Sequence, residues 1–223
     1  GRAVSGARTV KIAMLGGSFN PPHIAHLILA DSICTELGYD KVLFVPVNLP
    51  PHKEMAQSAS ACDRLAMVQA LVASDERFLC EPCEIERGGI SYTYDTVGYL
   101  QQKYAGMLSD KIAVVFGNDL ARNFGKWEHA RELSEIADII LAARPKELEH
   151  AAFENKPTAL YATEDDAFDI SHYRHKTLAN PQIVLSSTDI RERIASGASW
   201  RYLVNEGVFH YIVEHRLYGY RTV

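Results

Sequence analysis

Short runs of β-branched and apolar residues alternate along this chain with longer amphipathic segments, and that alternation restricts the fold more than any single residue does. The runs VKIAML (10–15), KVLFVPV (41–47), KIAVVFG (111–117) and DIILAAR (138–144) are nearly continuously apolar, as parallel strands covered on both faces require. Residues 78–85 and QIVLSS (182–187) read as two further strands. Apolar residues at helical spacing predict helices between them. The first covers 21–37, with Ile24, Leu27, Ile28 and Cys34 in phase, Pro21 and Pro22 suiting its entrance and Gly38 its exit. Others are expected over 61–73, with Leu65, Val68, Leu71 and Val72 inward, and over 93–104, 127–136, 188–196 and 200–215. Repeated strand–helix–strand units imply right-handed crossovers. The expected fold is therefore α/β: a doubly wound, Rossmann-like, mostly parallel sheet with helices on both faces. Ligands on such sheets bind beyond the carboxyl ends of the strands, where strand order reverses.

A chain of 223 residues suits one substantial core, so residues 9–223 are expected to form a single domain, with 146–176 a mostly irregular excursion. Hydrophobic residues at 47% and charged residues at 23% are ordinary for a globular chain. A net charge of −5 argues against a general nucleic-acid binder, which carries a basic surplus. No apolar run approaches the roughly 20 residues that cross a bilayer, so no membrane association is expected. The segment GRAVSGARTV has no apolar core like that of a signal peptide. Cys34, Cys62, Cys80 and Cys83 are then expected as reduced thiols in a cytoplasmic protein. Cys80 and Cys83 form a C-x-x-C pair, but no second pair completes a zinc site, so no protein-held metal is expected.

The most informative stretch is GGSFNPPHIAH, Gly16 to His26. Gly16 and Gly17 let the backbone turn sharply off the first strand and approach a ligand closely. The helix that follows offers unpaired amides and a positive dipole end, which suits phosphate. His23 and His26, three residues apart, are expected on one helical face at that end, where imidazoles can stabilise a charged transition state. A tight turn with two surface or capping histidines is the plainer alternative; the combination of features favours the functional reading. A second stretch, SSTDIRERI, follows a strand and opens a helix. Ser187 and Thr188 can offer hydroxyls and amides at its amino terminus, and Arg191 can project its fork towards phosphate oxygens. A capped helix with a solvated arginine explains that stretch alone equally well.

Together these stretches resemble the nucleotidylyltransferase superfamily, whose marks are a GG-(S/T)-F-(D/N)-P strand exit, a (T/H)-x-G-H signature and a later (I/L)-S-S-T-x-I-R element. The resemblance spans Lys11 to about Tyr218 and is particularly to the bacterial nicotinate-mononucleotide adenylyltransferases. It implies that His23 and His26 contact the phosphates of ATP and that Gly16, Gly17, Ser18, Phe19, Ser187 and Thr188 line its site. Ala25 stands where the signature has glycine, close to the adenine, so its methyl group could alter how the base is seated.

Further elements carry the same resemblance. VNLPPHKE (47–54) is similar to the family loop in which Asn48 would seat the pyridine nucleotide and Lys53 would face ATP phosphate, with a solvated Lys53 as the alternative. SYTYDT (91–96) is similar to the segment that contacts the nicotinate ring and carboxylate through Tyr92 and Thr93. Tyr92 suits the core equally, and Asp95 suits a helix start. Gly117 and Asp119, in GND after the fourth strand, would meet the adenosine ribose. Trp127 would stack on the pyridine ring, with a core position as the alternative; amides near Thr93 and at Trp127–Glu128 would read the carboxylate. Arg144 in AARP is expected near a phosphate.

The resemblance implies transfer of the adenylyl group of ATP to nicotinate mononucleotide, giving deamido-NAD and pyrophosphate, within NAD biosynthesis. His23, His26, Lys53 and Arg191 would hold the triphosphate and stabilise the leaving pyrophosphate, and Mg2+ would accompany ATP. Two rivals are another adenylyltransferase of the superfamily, such as phosphopantetheine adenylyltransferase, and a non-enzymatic nucleotide sensor. The first lacks the PPHK, SYT and tryptophan elements together; the second has no need of transition-state stabilisers. Nothing in the sequence specifies an oligomeric state.

Overall fold

The computed structural model describes residues 8–48, 58–117, 129–142 and 173–222. Six parallel strands form one sheet: β1 (Ile12–Gly17), β2 (Lys41–Pro46), β3 (Phe78–Cys80), β4 (Ala113–Gly117), β5 (Asp138–Ala142) and β6 (Lys176–Leu178). Their order is β3-β2-β1-β4-β5-β6, so the direction of winding reverses between β1 and β4. The expected doubly wound topology is present. Its switch point lies where Gly16 and Gly17 leave β1 and Gly117 leaves β4.

The helices are α1 (Ile24–Leu37), α2 (Ala61–Val72), α3 (Cys83–Arg87), α4 (Thr93–Lys103), α5 (Ala130–Ile136), α6 (Ser187–Ser196) and α7 (Glu206–His215). Period-two alternation along the strands sorts them into two layers. Ala13, Leu15, Val42, Phe44, Ala113, Val115 and Ile140 face a core built with α1, α2, α6 and α7. Their sequence neighbours Ile12, Met14, Leu43, Val45, Ile112, Val114 and Ile139 face a second core with α3, α4 and α5. Burial on both faces explains why these strands are almost unbroken apolar runs.

The structure corrects several expectations. The third strand ends at Cys80 instead of continuing to residue 85: Pro82 has no amide to extend a ladder, and it precedes α3, which buries Cys83 in the second core. The C-x-x-C pair thus straddles a strand exit and a helix start. All four cysteines are free, and burial pushes the Cys80 thiol up to about 12 and Cys83 to about 11. QIVLSS is not a strand; its Leu185 is buried and Ile183 packs beside it in irregular backbone. The sixth strand is Lys176–Leu178, starting at the last residue of the stretch read as irregular, and only Leu178 is buried there, so no apolar run announces this edge strand. Residues 146–172 of that stretch lie outside the described residues. The segment 200–215 is broken: a 3-10 turn at Arg201–Leu203 comes first, and Asn205 then caps α7 by accepting from the Val208 amide. In α2, Arg64 and Met67 occupy inward positions beside Val68 and Leu71, while Leu65 is only half-buried.

Candidate active site

The turn after β1 is held from four directions. The Gly17 carbonyl accepts from the Val47 amide at 2.9 Å, tying the exits of β1 and β2 together. Arg64 of α2, 1% exposed, donates from Nη1 to the Ser18 carbonyl at 2.9 Å and to the Val47 carbonyl at 2.7 Å. Arg191 of α6 donates from Nη1 to the Asn20 carbonyl at 2.8 Å, and Ser187 Oγ donates to the Pro21 carbonyl at 2.8 Å. The Asn20 carboxamide accepts from the Ala59 amide at 3.0 Å and from the Tyr218 hydroxyl at 2.7 Å, and donates to Ser58 Oγ at 2.8 Å. Asn20–Pro21 is a cis peptide, and Phe19 sits at φ 48 with its ring over Gly17. A methyl group on Gly17 would press on that ring, 3.4 Å away. Gly16 and Ser18 remain exposed to an incoming ligand.

This turn delivers the chain into α1 at Ile24, three residues later than the expected start at Pro21. His23 is the N-cap, outside the helix proper, and His26 is the third helical residue. The two imidazoles still converge, with ring centroids 3.9 Å apart, because His26 Nδ1 accepts the His23 backbone amide at 3.0 Å. That acceptor role leaves the proton of neutral His26 on Nε2. The Phe19 ring meets His26 edge-on at 4.8 Å and fixes it from the other side. His23 is buried, its Nδ1 has no hydrogen-bond partner among the described residues, and burial lowers its pKa to about 4. It is therefore neutral near pH 7. Two closely apposed, tilted imidazoles, the first amides of α1 and the positive helix end are together suited to an anion, largely through dipoles.

Arg191 is buried at the edge of this site, giving Nη2 to Thr188 Oγ1 at 3.2 Å as well as Nη1 to Asn20. Ser187 is spent on the Pro21 carbonyl, and Ser186, which sequence reasoning passed over, is the true cap of α6, accepting from Asp189 at 3.1 Å. The S-x-x-D spacing was the available signal. Ala25 is half-buried against the core.

On the other side of the switch point, Asn48 donates to the Gly89 carbonyl at 3.1 Å, joining the β2 exit to the turn before α4. Gly88 and Gly89 have φ 68 and 63, which only glycine adopts at little cost. Tyr92 is the N-cap of α4 and 43% exposed, so it is not a core residue; Thr93 begins the helix. Tyr94, one residue on, stacks on His129 at 4.9 Å, and His129 directly follows Glu128 in sequence. Lys53, Asp119, Trp127, Glu128 and Arg144 lie outside the described residues. Among those described, no cluster of three or more His, Cys, Asp or Glu side chains could hold a metal ion, and no helix is long and apolar enough to cross a membrane.

The buried imidazole ties stability to pH. The folded pKa of His23 lies near 4, below the ordinary 6.5, so the unfolded chain takes up the proton first as pH falls. Its contribution is complete above pH 6.5 and is lost as pH drops towards 4, by roughly 3 kcal/mol at most. Chemical denaturation of His23→Asn and the parent from pH 8 to pH 4 should show a shallower acid loss in the variant. Parallel curves would mean that His23 is protonated in the folded state.

Comparison with known proteins agrees with this architecture. The cytidylyltransferase-like family model matches residues 14–193. A Treponema pallidum protein named probable nicotinate-nucleotide adenylyltransferase is 39% identical over 209 residues, covering 94% of this chain and 99% of that protein. A Synechococcus protein of the same name is 38% identical over 208 residues, covering 93% and 96%. Among solved structures, the Plasmodium falciparum nicotinic acid mononucleotide adenylyltransferase complexed with NaAD superposes with a TM-score of 0.66 at 16% identity, covering 95% of this chain and 98% of that one; at that identity the likeness is one of fold. The chain therefore belongs to the cytidylyltransferase-like family, among relatives named probable nicotinate-nucleotide adenylyltransferases.

Proposed function

We propose that this protein transfers the adenylyl group of ATP to nicotinate mononucleotide, releasing pyrophosphate and forming deamido-NAD. The observation that carries the reading is the imidazole pair on the amino end of α1, beside a clamped turn that leaves backbone exposed at Gly16 and Ser18. The names of relatives 38–39% identical over nearly the whole chain supply the acceptor.

In this reaction the 5′-phosphate of the mononucleotide attacks the α-phosphorus of ATP in line, and the bond to the bridging oxygen of pyrophosphate breaks. The attacking phosphate is already an anion, so no protein nucleophile or general base is needed. The chain's work is positioning and charge stabilisation. The exposed turn and the first amides of α1 receive the triphosphate, His26 donates from Nε2, and Arg191 supplies a fixed positive charge beside it. Lys53 and Arg144 add cations in this reading, and Gly117 and Asp119 hold the adenosine. Magnesium enters with ATP as part of the substrate. Imidazole, guanidinium and amide donors suit a triphosphate that brings its own metal.

The acceptor is seated between Asn48 and the start of α4. Amides near Thr93 and at Trp127–Glu128 face its carboxylate, Tyr92 lines the ring, and Trp127 stacks on it. The bond from Asn48 to the turn before α4, and the stack of Tyr94 on His129, support this grouping. We take residues 9–223 as one catalytic domain, and four free thiols fit a cytoplasmic enzyme.

Pyrophosphate release from ATP, measured with nicotinate mononucleotide, nicotinamide mononucleotide and phosphopantetheine, tests the function. Turnover with the first, weaker use of the second and none of the third is expected. Use of phosphopantetheine alone, or release with no acceptor at all, would overturn it. His26→Ala should lower kcat on the order of 100-fold while changing the KM for the mononucleotide little. Near-normal turnover in the folded variant would remove His26 from the reaction.

A further inference from the structure

Arg64 is the largest fully buried side chain among the described residues, and no described carboxylate pairs with it. A buried cation without a counter-ion is costly, and burial lowers its pKa accordingly. Its Nε is also buried without a hydrogen-bond partner among the described residues. Packing alone would be served as well by an apolar side chain of similar length, as Met67 serves one turn later in α2. What a guanidinium adds is a bridge: one nitrogen reaches the Ser18 carbonyl and the Val47 carbonyl together.

We propose that Arg64 is a positioning residue that locks the triphosphate turn at Ser18 and the acceptor loop at Val47–Asn48 into one register, so that donor and acceptor phosphates meet in line. The inference rests on the adenylyl-transfer reading above. Its mechanism is geometric. The Ser18–Phe19 peptide is trans, so its carbonyl and amide point in opposite directions. Holding the Ser18 carbonyl towards α2 turns the Phe19 amide the other way. The Gly17 carbonyl is held by the Val47 amide, which orients the Ser18 amide by the same rule. Phe19 at φ 48 follows these peptides, a succession of amides of the kind that forms anion-binding concavities. At its other end, Arg64 holds the carbonyl of the residue before Asn48, whose side chain reaches Gly89 at the start of the acceptor segment. The two substrate loops are thus set by one buried charge that touches neither substrate.

The test compares Arg64→Met and Arg64→Lys in the full-length protein, with kcat expressed per folded molecule. Arg64→Met should lower kcat by roughly 100-fold, as a displacement of about 1 Å at reacting atoms does, with each KM changing less than about threefold. Arg64→Lys, which keeps the charge on a flexible stem without the rigid guanidinium plane, should lie between Arg64→Met and the parent. A cycle with Asn48→Ala separates register from packing. In the Arg64→Met background, Asn48→Ala should cost much less than in the parent, because the loop it serves is already out of register. Independent multiplication of the two losses, or parental kcat per folded molecule in either Arg64 variant, overturns the proposal. If Arg64→Met does not fold, Arg64→Lys with Asn48→Ala carries the same cycle. A parent enzyme that releases no pyrophosphate with nicotinate mononucleotide would fail the function reading instead, a distinct result.

Discussion

The carboxamide of Asn20 holds together parts of the chain that are far apart in sequence. Its oxygen takes one hydrogen bond from the Ala59 amide and one from Tyr218, 198 residues away, while its nitrogen gives one to Ser58 and its main-chain carbonyl receives Arg191. Every one of these groups belongs to the half of the protein on the α1, α2, α6 and α7 face. Buried polar groups satisfied this completely confer a unique geometry more than they confer net stability. The turn they fix is the one that launches α1, and the approach of His23 to His26 follows from where that launch occurs.

The clamp also explains why the turn can hold an unfavourable conformation. Phe19 at positive φ costs on the order of 1 kcal/mol, and such strain persists only when the surroundings over-determine it. Here its ring is buried over Gly17 and against His26, and the carbonyls on either side are held by Arg64 and Arg191. Two guanidiniums solvated by main-chain carbonyls lie under a turn that receives a polyanion. Their positive potential is available to substrate because no described carboxylate has consumed it. His23 is neutral beside them because burial penalises its charged form.

Much of this was legible in the sequence. The two-layer sheet follows from unbroken apolar strands, and the site's position follows from glycines and histidines set at a strand exit. The family resemblance assigned both Asn48 and the segment that opens α4 to the pyridine nucleotide, and Asn48 does bond to Gly89 in the turn before that helix. Three kinds of residue escaped. Arg64 looks like any solvent-facing helix position, because periodicity records hydrophobicity and a buried cation breaks the pattern. Tyr218 acts through a contact 198 residues long, for which no local spacing exists. The edge strand β6 buries one residue of three, so its short polar run resembles a loop, while the apolar residues Ile183 and Leu185 of QIVLSS pack on the core from irregular backbone. The two histidines were expected on one helical face; His23 is instead the N-cap, and a capping relation brings the rings together.

The central claim is that adenylyl transfer depends on a turn shaped from a distance by buried hydrogen bonds. Tyr218 isolates that claim, since its hydroxyl donates to Asn20 and is buried away from solvent. The most direct measurement is steady-state kinetics of Tyr218→Phe with ATP and nicotinate mononucleotide, because phenylalanine keeps the packing and removes one donor. The account predicts a kcat about tenfold lower with both KM values nearly unchanged, a signature of misplaced reacting groups rather than weakened binding. A folded Tyr218→Phe enzyme with the parent's kcat would contradict it.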